Sequence, residues 1–333
     1  MPKTWPRPIR TISVPSIRAG ETPVEIHGGI QRAQRRKTGE ATRRPRDVVA
    51  DDTPQFPFPG CMLATPPLPN AHEISYQGGP LANGAPVQLL FWGDVWADPA
   101  TSPSAGDITA AMQTMVEGSY LFPLKQYGVS SGPFNEPRIV TSPAPGATIS
   151  ADDLHDMLWS LAGHTFPYPD QDGGRNLYVV VLPPGARGLP DDSEAAHSST
   201  WRIVFEGAIP RVVNLWYAWT GVTPQFSVDQ ITGDLSHEIA EAYTNPEPNG
   251  GWVIGNSDDP GETEIADLCE DIAVDGEVDG VRVAPYYSKI NNACILPTAR
   301  SVRLFLTIKG IDGTNGIRSH VSPGTSLRQF LKT

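Results

Sequence analysis

Residues 236 to 246 read Ser-His-Glu-Ile-Ala-Glu-Ala-Tyr-Thr-Asn-Pro, and residue type and spacing together point there to chemistry. His237 and Glu241 stand four positions apart, so on a helix their side chains leave one face a turn apart. An imidazole and a carboxylate so placed supply two corners of a divalent metal site. Glu238, beside the first ligand, is placed to act on a water at the ion rather than on the ion itself. A second acidic cluster, Glu264-Ile265-Ala266-Asp267, follows a Gly-, Asn- and Pro-rich loop, from which the chain can fold back with a third ligand. The competing reading is an amphipathic helix with its charges in water and Ile239, Ala240 and Ala242 inward. Clear helix boundaries, with Asp234 or Ser236 available as cap and a stop at Thr244-Asn245-Pro246, favour the metal reading together with the second cluster.

The elements that must hold these residues follow from hydrophobic period. A buried strand is expected at 87–92 and a helix at 108–120 with Asp107 as its cap. A weaker strand follows at 138–140. Ser150 opens a second helix, striped by Leu154, Met157, Leu158 and Leu161 and ended by Gly173-Gly174. The most strand-like segment is 177–182, and 203–205 and 212–216 add two more strands. The helix at 227–242 turns Phe226, Val228, Ile231, Leu235 and Ile239 inward, and short strands follow around 281–283 and 302–308. Helices alternating with apolar strands imply an α/β domain with a mixed sheet and packed helices. Residues 71–298 are read as this metal-binding domain, 1–70 as a disordered basic Pro/Arg-rich arm or pro-segment, and 299–333 as a small strand-rich C-terminal appendage.

The net charge is −12 over 333 residues, yet residues 1–50 hold eleven basic side chains against four acidic ones. The body is therefore strongly acidic, which argues against a nucleic-acid partner. No uncharged apolar run is long enough to span a membrane. The arm lacks an apolar core of the kind a standard secretory signal needs. Of the three cysteines, Cys269 and Cys294 flank the segment after the acidic cluster and are expected to form a disulfide, the alternative being two buried thiols. Cys61 is left over, and its thiolate could cap the metal until the arm is removed.

Several blocks of the chain resemble the plant phosphate-induced protein 1 (EXORDIUM-like) family. They are Gly84-Ala85-Pro86-Val87, Trp92-Gly93-Asp94-Val95-Trp96, the strand and turn at 179–185, Ala196-His197-Ser198, the 236–246 motif, Glu264-Ile265-Ala266-Asp267-Leu268-Cys269 and the Asn-rich stretch before Cys294. The similarity covers residues 75–297 and implies a secreted, cell-wall-associated protein, with little said of activity. The cysteine usual near the His197 block is absent here. The His-Glu-x-x-Glu helix is also similar, more loosely, to that of gluzincin zinc peptidases, with Glu241 where their second histidine stands. That resemblance implies His237, Glu241 and Glu264 as ligands, Asp267 orienting His237 through its other ring nitrogen, and Glu238 as general base. One imidazole with two carboxylates is harder than most zinc sites, so calcium, manganese and iron stay open beside zinc.

His197, expected in a polar loop, is read as an oxyanion-stabilising partner, a fourth ligand or a backbone cap. Tyr243, Tyr286 and Tyr287 read as core rather than as oxyanion donors. Of Trp92, Trp96, Trp216, Trp219 and Trp252, the last is expected to be the most exposed. The acidic run at 258–262, with Asp275, Glu277 and Asp279, reads as a solvated loop rather than a calcium site. The resulting expectation is a metal-dependent hydrolase acting on a peptide or protein substrate, a metallo-endopeptidase with Glu238 and His197 catalytic, at the cell surface or outside it. The alternative is a non-catalytic EXORDIUM-like surface protein with a structural metal site.

Overall fold

The computed structural model describes residues 10–13 (as backbone), 61–68, 74–169, 175–186, 194–206, 209–221, 227–247, 250–254, 264–270 and 272–297. The expected appendage at 299–333 and its strand at 302–308 lie outside these residues, as do Phe226, the Gly173-Gly174 pair and the acidic run at 258–262.

In chain order the strands and helices are β1 (Arg10–Ser13), β2 (Cys61–Leu63), β3 (Ile74–Tyr76), β4 (Val87–Trp92), α1 (Ala105–Glu117), β5 (Arg138–Ser142), α2 (Ala151–Leu161) and β6 (Leu177–Val181). They continue with β7 (Ala195–Glu206), β8 (Ile209–Thr220), α3 (Val228–Thr244), β9 (Trp252–Ile254), α4 (Asp267–Glu270), β10 (Gly276–Val278), β11 (Val281–Val283), β12 (Tyr286–Ser288) and β13 (Ala293–Pro297). Six strands form one sheet in the order β1-β5-β4-β6-β8-β7. All neighbours are parallel except β7, which runs antiparallel to β8. The fold is α/β with a mixed sheet.

β4 and β6 are buried along their whole length, which is why they read as unbroken apolar runs rather than alternating ones. Their side chains still divide by parity. Leu89, Phe91, Val179 and Val181 pack with Ile108, Met112, Ile231, Leu235 and Ile239 of α1 and α3. Leu90, Trp92, Tyr178 and Val180 pack on the other face with Leu154, Met157 and Leu158 of α2. The sheet is thus sandwiched between helices, with α3 on the α1 face.

Helix starts follow serines. Ser150 and Asp153 form a capping box on α2, and Ser227 and Gln230 form another on α3. α1 starts at Ser104, whose hydroxyl accepts the N–H of Asp107, so Asp107 is not the cap. Nor are Asp234 and Ser236, which lie inside α3 well past its first turn. The strands expected at 203–205 and 212–216 are parts of one hairpin with twelve-residue arms. Its β7 arm includes His197, which therefore sits on a strand and not in a loop. Ser198, Ser199 and Thr200 give that stretch a loop-like composition, which an edge strand tolerates.

Two short pieces of the segment read as an arm contribute strands. β1 pairs with β5 at the sheet edge, and β2 pairs with β13 in a small sheet with β12. No helix of the described residues is long and apolar enough to cross a membrane.

Candidate metal centre

α3 is fixed against its surroundings at both ends of the His-Glu-x-x-Glu stretch. The Tyr120 hydroxyl donates to the carbonyls of Ser236 (3.1 Å) and Ala284 (2.9 Å), and the Ser236 hydroxyl accepts the N–H of Ala284 at 2.8 Å. Two residues beyond Glu241, Tyr243 donates to the Ala85 carbonyl at 2.6 Å. The His237 and Glu241 side chains thus project from a helix tied to its neighbours on both sides of the motif.

His237 Nε2 lies 3.2 Å from Glu241 Oε2 and 3.1 Å from Asp267 Oδ1. Glu241 is 2 % exposed, and its other oxygen, Oε1, accepts the backbone N–H groups of Ala266 (2.9 Å) and Asp267 (3.0 Å). His197 reaches the same place from β7. Its Nδ1 is 2.9 Å from Glu238 Oε2 and 3.7 Å from Glu241 Oε2. Its Nε2 faces the Asn245 carbonyl at 3.2 Å and Glu264 Oε1 at 3.5 Å. The Asn245 side-chain amide donates to that same Glu264 oxygen.

Two sets of ligand atoms gather here, each set within 4.8 Å of one another: His237, Glu241 and Asp267, and His197, Glu238 and Glu241. Glu264 belongs to neither. Asp267 is expected from the sequence on the other ring nitrogen of His237, and Glu264 beside His237 and Glu241; the structure differs. Asp267 faces the very nitrogen that Glu241 faces, while Glu264 stands behind His197. His197 offers no N–H to an oxyanion, because both ring nitrogens are engaged within the cluster.

The electrostatics follow from burial and crowding. Burial works to lower both histidines, yet Glu264 and Glu238 hold His197, and Glu241 and Asp267 hold His237, well above the ordinary imidazole range. Burial pushes the Glu241 carboxyl up, against the pull of His237. Burial would also raise Glu264, but His197 and the Asn245 amide hold it below the usual carboxylate range. A cluster that traps protons in this way is one a divalent cation can enter by displacing them.

The centre opens onto a cleft of about 600 Å³ whose lining includes His237, Glu238, Asp267, Glu194, Asp234, Glu270 and Asp275. Asp234, one turn before His237 on α3, has an oxygen buried with no hydrogen-bond partner among the described residues. Burial, then Glu194, Asp275 and Glu238, push its carboxyl up to about 7 against the opposing effect of His237. Its spacing from His237 and Glu238 could have marked it in the sequence. Asn245 was legible only as a helix stop.

The Cys269–Cys294 disulfide is formed, with Cα atoms 5.8 Å apart. It ties α4, which carries Asp267, to β13. Cys61 is a half-buried thiol in β2 that burial pushes up to about 12, the reverse of what a metal-capping thiolate needs. The tyrosines are committed elsewhere: Tyr243 to Ala85, Tyr286 to the Tyr120 carbonyl and Tyr287 to Asn292. Trp252 packs against Tyr76 and Tyr127 under Lys289. Trp252 is nonetheless the most exposed of the five tryptophans singled out, the other four being buried, while among the described residues Trp201 on the hairpin is more open still, 42 % exposed. Asp275 pairs with Arg282, and Asp279 accepts the N–H of Ser119. Compared with protein-family models, with curated proteins and with solved structures, the chain matches none.

Proposed function

We propose that the chain is a metal-dependent hydrolase, an endopeptidase that holds one zinc ion on His237 Nε2, Glu241 Oε2 and Asp267 Oδ1. The observation that carries this reading is the convergence of those three atoms, two of them from residues that line a cleft, His237 and Asp267, with Glu238 lining it too. Held by these residues, a zinc ion would supply Lewis-acid polarisation of a carbonyl and a bound water of pKa about 7.

The chain's own residues do the rest. Glu238 accepts the proton of the attacking water and returns it to the leaving amine. His197 positions that carboxylate through its 2.9 Å contact, itself braced by Asn245 and Glu264. Glu241 is anchored by two backbone donors, so the ligand oxygen it presents is fixed before an ion arrives. The disulfide beside Asp267 supports an oxidising setting outside the cell, in keeping with the EXORDIUM-like resemblance, and both are part of the proposal. The non-catalytic alternative, a structural ion, draws on how deeply Glu241 and His197 are buried.

The test is peptide hydrolysis by metal-stripped protein to which one equivalent of zinc is returned. Cleavage of a mixed peptide substrate that depends on the zinc supports the hydrolase. Stoichiometric zinc with no cleavage supports the structural alternative instead.

A further inference from the structure

One carboxylate oxygen in the centre serves two imidazoles. Glu241 Oε2 lies 3.2 Å from His237 Nε2 and 3.7 Å from His197 Nδ1. Each imidazole also has a carboxylate of its own, Asp267 for His237 and Glu238 for His197, at 3.1 and 2.9 Å. Neighbouring ligand atoms around a tetrahedral zinc stand about 3.4 Å apart, as bonds of about 2.1 Å require. The printed contacts of each triad, 2.9–3.7 Å, bracket that spacing, and the three ligand atoms of each lie within 4.8 Å of one another, close enough for one ion to draw them in.

The His197 ring is set for coordination. Its Nε2 faces a backbone carbonyl, which can only accept, so Nε2 donates there; Nδ1, which without an ion donates to Glu238 at 2.9 Å, is the nitrogen that meets an ion once that proton is displaced. Metal-ligating histidines are held in this way, by an acceptor behind the ring. Charge points in the same direction. Glu238, Glu241, Glu264 and Asp267 bring four carboxylates into one largely buried place. With neutral imidazoles, one divalent ion cancels half of that charge and a second cancels the remainder, and uncompensated buried charge is costly.

We propose that the centre holds two divalent ions bridged by Glu241 Oε2, the second bound by His197 Nδ1 and Glu238 Oε2. This rests on the metal reading given above and adds a control to it. The second ion occupies the carboxylate that would otherwise take the proton of water, so the first equivalent of metal supports hydrolysis and the second suppresses it.

Calorimetric titration of zinc into chelator-stripped, full-length protein tests this directly. The parent should bind two equivalents and His197→Gln one, with the tighter affinity kept within about threefold. Peptide hydrolysis by the parent should rise to one equivalent and fall at least tenfold by the second. Manganese-loaded parent should show an exchange-coupled paramagnetic signal at two equivalents, a readout independent of any variant's folding. One equivalent in the parent, unchanged in His197→Gln, overturns the second site and leaves the hydrolase reading standing. Loss of the single equivalent in a folded His197→Gln overturns it in favour of one ion shared by both imidazoles. A parent that binds no metal overturns the hydrolase reading as well.

Discussion

Glu241 and Asp267 hold each other in place around His237. The Asp267 backbone N–H donates to Glu241 Oε1 at 3.0 Å, and the Asp267 side chain turns to the His237 nitrogen that Glu241 Oε2 faces. One residue is thus a ligand candidate and the anchor of another. The two functions separate under mutation. Glu241→Ala leaves the Ala266 and Asp267 donors buried without an acceptor, which costs about 1–3 kcal/mol. Glu241→Gln keeps an acceptor there and offers no charge to an ion. Both variants should lose the metal, but urea denaturation of the metal-free proteins should show Glu241→Ala the less stable by about 2 kcal/mol. Equal stability of the two would remove the anchoring role.

The disulfide should matter to the site as well as to the fold. Its cysteines are 25 positions apart, and closing a loop of that size stabilises a chain by about 3 kcal/mol. Because α4 carries Asp267, Cys294→Ala should also weaken zinc binding, by roughly tenfold if the lost order costs about 1.4 kcal/mol at the ligand. Zinc affinity equal to the parent's would place Asp267 under other control.

Much of this framework is legible in the sequence. The runs at 87–92 and 177–182 are apolar without a break because both faces of the sheet are covered, and α3 shows a helical stripe that ends at Pro246. The placement of Glu264 and Asp267 against different histidines is not legible. They are three apart, a spacing that puts both on one face of a helix, but α4 begins only at Asp267. The non-helical backbone ahead of it sends Glu264 to the His197 side. His197 is missed as a strand residue for a related reason. Ser198, Ser199 and Thr200 suggest a loop, and only the long antiparallel pairing with β8 makes a strand of them.

Asp234 predicts a pH effect. Its carboxyl sits at about 7, well above the ordinary value of 3.8. A carboxyl raised on folding favours the native state while it stays protonated, and that contribution is lost as pH rises from about 4 through about 7. Asp234→Asn keeps the shape without the charge. In metal-free protein its melting temperature should approach the parent's at pH 4 and exceed it at pH 8. A difference that does not change with pH would show that Asp234 ionises freely in the cleft.

Cys61 should be chemically quiet. With its thiol pushed up to about 12 by burial, alkylation of folded protein at pH 8 should be at least tenfold slower than in urea. Cys61→Ser should leave hydrolysis unchanged, whereas a metal-capping thiolate would give a variant more active than the parent.

Glu238 carries the chemical step in this account. Glu238→Gln should retain the first equivalent of zinc and lose hydrolysis by at least a hundredfold, the scale of general base catalysis. Full peptidase activity in that variant would assign the base elsewhere.

The first ion must be held through His237. The deciding measurement is the zinc content of dialysed parent and His237→Ala protein, both shown to be folded. At least one tightly held equivalent is expected in the parent, and loss of that equivalent, with affinity at least a hundredfold weaker, in the variant. Zinc held as tightly by His237→Ala as by the parent would contradict this role of His237.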